Sequence, residues 1–190
     1  LESLIVSKVN YNDIIVGDKN ALLIASRVLG YGKDYSFKAQ STVTNQLENF
    51  TVDLTTLNDK ELKNKDLKEV GINEFEYTLP TTNKLITYKL LTHGDETAIA
   101  KEIQGQNKIR PGSNPEISTR LKYIITSIDG DSDKKTIREF VDNYLLAKDS
   151  RSLRTEIKRV APDVELKYHG EDGQEDINIP ISLNFFWPDL

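Results

Sequence analysis

Aspartates fill alternate positions in the run Asp129-Gly130-Asp131-Ser132-Asp133, as oxygen ligands do at the opening of an EF-hand calcium loop. Such a loop needs glycine at its sixth position for a sharp turn and a bidentate glutamate at its twelfth. Here those positions are Lys134 and Phe140, so the run reads as a capped turn between helices. Gly30-Tyr31-Gly32-Lys33 lacks the GxxxxGK-Ser/Thr pattern that cradles phosphate between a strand and a helix. A helix precedes it and a strand follows, which makes it a helix stop. His93 and His169 each fall in a turn, with no second histidine at metal-ligand spacing. Asp95-Glu96 lies at a helix start, where negative charge favours the helix dipole. No trio of nucleophile, base and orienter can be named. The expectation is a protein that is not an enzyme, with no catalytic residues, cofactor or metal.

Two other features are candidates for binding. Arg151, Arg154, Lys158 and Arg159 give a basic face to one helix, which reads either as a surface for nucleic acid or an acidic partner or as an ordinary solvated face. The chain closes on Phe185-Phe186-Trp187-Pro188-Asp189-Leu190. Neighbours on a strand face opposite sides, so three successive aromatics cannot all point inward from one strand. Either a terminal strand clamps the core, or Phe185, Phe186 and Trp187 anchor a partner, since aromatic residues concentrate binding energy.

The elements that must position these residues follow from periodicity. From Ile117 to Val160 the apolar spacing predicts three helices in succession. Ile117, Leu121, Ile124, Ile125 and Ile128 form one stripe; Ile137, Phe140, Val141, Tyr144 and Leu145 form the second. The third carries Leu153, Ile157 and Val160 behind an N-cap at Asp149-Ser150. Earlier, Asp18 is the expected N-cap of a helix through Leu29, with Gly30 as its stop. A further short helix is capped by Thr92 or Asp95 and ends near Gly105. Pro111-Gly112-Ser113-Asn114-Pro115 is the strongest loop signal in the chain.

Alternation marks the strands. Tyr35, Phe37 and Ala39 share a face, as do Phe50, Val52 and Leu54, which predicts a hairpin with a tip of roughly ten residues. Phe75 to Leu79 and Leu85 to Leu91 form a second hairpin across Thr81-Thr82-Asn83. Residues 58–70 read as a surface helix or connector. Val164, Leu166 and Tyr168 alternate, and Ile177, Ile179, Ile181 and Leu183 alternate after a polar turn. Residues 34–54 and 163–183 therefore share one design: strand, polar tip, returning strand. Either chance explains this echo, or the two hairpins pair into one β lobe beside a lobe of helices. The fold class is α+β, since no βαβ unit repeats.

With 190 residues, 37% of them hydrophobic, the chain is long enough for a substantial core. A single domain is expected, with a β lobe of 34–57 plus 163–190 and a helical lobe of 92–160. No run approaches the ~20 apolar residues of a membrane span, and a soluble protein is expected. A net charge of -5 argues against nucleic acid as the main partner. The absence of cysteine removes disulfides and thiolate chemistry. There is no methionine, so Leu1 is not a translation start, and a further N-terminal segment is expected.

Taken in order, these features resemble the baseplate hub assembly proteins of T4-type contractile-tailed bacteriophages, also described as hub assembly chaperones. The resembling segments are Asp18 to Leu23 with Arg27, Tyr31-Gly32, Val52-Asp53-Leu54 and Phe75 to Pro80. Leu90-Leu91-Thr92 with Asp95-Glu96, Ile137 to Arg154, Pro162-Asp163 and Phe185 to Asp189 complete the pattern. The resemblance implies a noncatalytic role in the virion tail baseplate, or in the host cytoplasm during assembly. The partners it implies are other hub or tail proteins, and it leaves room for an oligomer. Some members of that family carry cysteine pairs at hairpin tips, as in a zinc ribbon. Here the tips at 40–46 and 169–175 have none, which implies that any zinc site is lost and that hairpin pairing alone holds the tips. Two other classes stay open: a nucleic-acid-associated accessory protein using the basic helix 150–160, and a small hydrolase using His93 or His169.

Overall fold

The computed structural model describes residues 9–110, 112, 115–170, 175–181 and 183–186. In chain order these form α1 (Val16–Tyr31), β1 (Asp34–Gln40), β2 (Leu47–Asp53), β3 (Asp59–Lys60), β4 (Phe75–Thr78), β5 (Leu85–Tyr88), α2 (His93–Ile109), α3 (Glu116–Ile124), β6 (Ile125–Ile128), α4 (Lys134–Glu139), α5 (Ala147–Val160), β7 (Asp163–Val164), β8 (Lys167–Tyr168), β9 (Ile177–Asn178) and the short turn α6 (Leu183–Phe186). Helices and small antiparallel sheets make this an α+β fold. The chain divides into two compact units. The first is Gly17–Lys60 with the described residues from Pro162 onward; the second is Glu61–Ala161 with the short described stretch ending at Val16. Each takes in more than the expected lobes, since α1 buries Ile24 in the first core and β4–β5 bury Phe75, Ile86 and Tyr88 in the second.

In the first unit, α1 begins two residues before Asp18 and runs past Gly30. The residue that stops it is Gly32, whose φ of 86° suits a left-handed cap, and its N–H donates to the Val28 carbonyl. The β1–β2 hairpin pairs Tyr35 with Val52 and Phe37 with Phe50, all facing inward. Its tip is shorter than expected because both strands extend to Gln40 and Leu47. The stretch after Pro162 does not form one hairpin. Asp163-Val164 pairs with β3, inside the stretch expected to be a helix or connector, and only β8 and β9 pair with each other. The two hairpins thus share a core but not a sheet. Tyr168 packs on Phe50 and Phe37, and the Tyr35 hydroxyl donates to the Pro180 carbonyl at 2.9 Å.

In the second unit, β4, β5 and β6 form an antiparallel sheet with β5 in the centre. The helix expected to run from Ile117 to Ile128 ends at Ile124, and the chain turns directly into β6. Ile124-Ile125-Thr126-Ser127-Ile128 is rich in β-branched residues that lose rotamer freedom in a helix, and a short apolar run fits either period. The second expected helix is likewise interrupted. α4 passes into a π-turn over Phe140–Tyr144, where the Leu145 N–H donates to the Phe140 carbonyl. The wider turn shifts the phase of the stripe, so Phe140 and Val141 stay buried while Tyr144 is 60% exposed. α2 opens on a capping box between Thr92 and Asp95 and continues past Gly105 to Ile109. The Pro111–Pro115 loop lies mostly outside the described residues.

Candidate partner-binding surfaces

The carboxylates of 129–133 are committed to structure. Asp129 and Gly130 both have positive φ, and Ile128 and Asp131 exchange backbone hydrogen bonds, which is the geometry of a type I′ hairpin turn. Asp129 accepts from the Leu85 N–H and from Lys84 Nζ, while Asp133 caps α4 through the Thr136 N–H. The turn joins a strand to a helix, not two helices. Among the described residues, no three His, Cys, Asp or Glu side chains gather into a potential metal site. His93 packs its ring 4.4 Å from Tyr11, and His169 Nδ1 lies 3.9 Å from Asp176. Glu96 accepts both arms of Arg120.

The residues singled out as partner contacts fall in different units. Phe185 belongs to the first and is fully buried, edge-on to Tyr35 at 4.8 Å. It is a core residue and is not available to a partner. The segment is a helical turn rather than the expected strand, so Phe185 and Phe186 are not forced to opposite faces, and Phe186 is half-buried beside Phe185. Trp187 lies outside the described residues. Arg151 and Arg154 are exposed on α5 in the second unit. Arg159 of the same basic run is drawn into ion pairs with Glu156 and Asp66.

Three polar groups hold roles that the sequence reading did not assign to them. Asp149 is not the N-cap of α5, which starts at Ala147. It is fully buried and accepts hydrogen bonds from the Thr81 N–H, the Thr82 N–H and the Thr82 hydroxyl at 2.8–3.0 Å, clamping the β4–β5 turn. Burial pushes its carboxyl up, but these donors outweigh that and hold it below the ordinary range. Glu175 joins the two hairpin tips: it accepts from the Ser41 hydroxyl at 2.6 Å and from the N–H and hydroxyl of Thr42. Pairing alone therefore does not hold the tips. Arg27, 4% exposed, donates to the carbonyls of Gly32 and Asp34 beneath the ring of Tyr31. Local spacing does not mark Asp149 or Glu175, because their partners lie far along the chain, whereas those of Arg27 are five and seven residues on.

A different surface emerges on α1. Of this sixteen-residue helix, only Ile24 and Arg27 are buried. Ala21, Ala25, Val28 and Leu29 line a groove of about 510 Å³ in the first unit, closed on the other side by Leu57 and Val164. Leu29 is 88% exposed. The chain matches no protein-family model, no curated protein and no solved structure. The groove's chemistry therefore has to be read from its own side chains, which are apolar except for Thr55 and Asp59. Among the described residues, no helix is long and apolar enough to cross a membrane.

Proposed function

We propose that this chain is a noncatalytic baseplate hub protein, or hub assembly chaperone, of a contractile-tailed bacteriophage, working through protein–protein contacts. The family resemblance of the sequence supplies the biological setting. The observation that supports a contact role is the open apolar groove along α1, where Leu29 stands exposed beside Val28 and Ala25. An apolar helix face left uncovered is a surface for another protein. The aromatic terminus is a weaker anchor, since Phe185 is spent inside the fold. The test is capture of phage proteins from infected cells with the intact chain and with Leu29→Lys. Lysine near a helix C-terminus is favourable, so the substitution is aimed at the groove and not at the fold. Recovery of identified hub or tail proteins by the intact chain, and its loss with Leu29→Lys, is the expected outcome. Equal recovery by both moves the contact away from α1. No phage protein in either case removes the role.

A second reading rests on exposed Arg151 and Arg154: association with nucleic acid through α5. DNA binding that falls steeply with salt would favour it. The pairing of Arg159 with Glu156 and Asp66 weakens it.

A further inference from the structure

Along α1 the exposed side chains Ala21, Ala25 and Leu29 recur every four residues, so they form one ridge of the helix surface. From Asn20 to Gly32 the sole charged residue is Arg27, and it is buried. A surface helix ordinarily turns a charged face to water; in a chain that is 29% charged, this ridge does not. Across the groove, Leu57 and Asp59 belong to the lining and Lys60 does not, which is the alternation of an extended segment. Val164 stands directly opposite Asp59 in the β3–β7 pair, and residues so placed share one face of a sheet. The groove is therefore bounded by the face of β3–β7 and not by its hydrogen-bonding edge. Asp59 is exposed; among the described residues it makes no ion pair, and no cation shares the lining.

We infer that the groove holds an amphipathic α-helix of the partner protein, with a lysine or arginine beside its apolar stripe to meet Asp59. This rests on the reading of the groove as a protein contact and names what fills it. An extended segment gains its affinity by pairing with open backbone N–H and C=O groups, and neither the side of a helix nor the face of a sheet offers them. A helix satisfies its own backbone and docks through side chains alone. The small side chains of Ala21 and Ala25 let its axis come close, since interaxial distance follows the residues at the contact. The carboxylate of Asp59 favours a cation on that helix and repels an acid. A second copy of α1 does not meet this demand, its ridge being uncharged.

The test begins with photo-crosslinking from position 29 in phage-infected cells and sequencing of the crosslinked partner peptide by mass spectrometry. That peptide is then synthesised and titrated into the full chain, with affinity read by calorimetry and helix content by circular dichroism. The titration is repeated on Asp59→Asn and Asp59→Lys, exposed-position variants whose unchanged thermal unfolding verifies the fold. The expected peptide has apolar residues at helical spacing with a lysine or arginine beside them, and it is helical when bound. Its affinity is expected to fall several-fold in Asp59→Asn and at least tenfold in Asp59→Lys, and to return in Asp59→Lys when the peptide's cation is changed to glutamate. A peptide that binds without helix, or equally well to all three chains, would overturn the inference and leave the groove standing as a protein contact. Crosslinks to a second copy would overturn it in favour of self-association. Crosslinks to no protein would remove the contact role and this inference with it.

Discussion

Asp149 shows what a single buried carboxylate does in this protein. Replacing it with alanine leaves the N–H groups of Thr81 and Thr82 without their acceptor. The expected loss is about 2–4 kcal/mol of stability, typical of breaking a buried hydrogen-bonded network, measured by urea unfolding. Thr82→Ser, which keeps the hydroxyl, should cost far less. Glu102 makes a pH prediction. The Arg138 guanidinium, with help from the Tyr123 hydroxyl, pulls its carboxyl from 4.5 to about 2 against the opposing effect of burial. A carboxyl lowered on folding contributes stability that is fully present above its unfolded value and is lost as pH falls through its folded value. Stability should therefore decline on acidification from about pH 5 toward pH 2, and Glu102→Gln should flatten that decline in thermal unfolding across the range. A decline of the same steepness in the variant would assign it to other carboxylates.

At the scale of elements, local signals were legible where one residue's chemistry decides the outcome. The β1–β2 and β4–β5 hairpins follow their alternation, and Thr92 caps α2 as its position before Asp95 suggests. Legibility failed where two periods compete or where a partner lies far along the chain. Ile124 to Ile128 fits a helix stripe as well as a buried strand, and only the open edge of β5 decides it. Asp163-Val164 was legible as a strand, but its partner β3 is two residues long and too short to signal itself. The α1 groove escaped notice because an apolar helix face does not announce whether anything covers it. Close approach is equally silent. A Cβ added at Gly17 would stand 1.8 Å from the Pro162 carbonyl oxygen. Alanine would gain up to ~1 kcal/mol in helix propensity, but forcing a backbone apart costs more, about 1–3 kcal/mol or above. Gly17→Ala is predicted to lower the unfolding midpoint, whereas Gly30→Ala, with open space around it, should raise it slightly.

At the scale of the whole molecule, the chain carries two cores, one with the rings of Tyr35, Phe37, Phe50 and Phe185 among aliphatic side chains and the other largely aliphatic around a three-stranded sheet. The first unit presents a largely apolar groove along α1. The groove is where the proposed contact is sought. The most direct measurement is site-specific photo-crosslinking in phage-infected cells, with the photoreactive residue placed at position 29 or, as a comparison, at position 151. The account predicts crosslinks from position 29 to a baseplate hub or tail protein, and few from position 151. Crosslinks from position 151 alone, to protein or to DNA, or none from position 29, would contradict it.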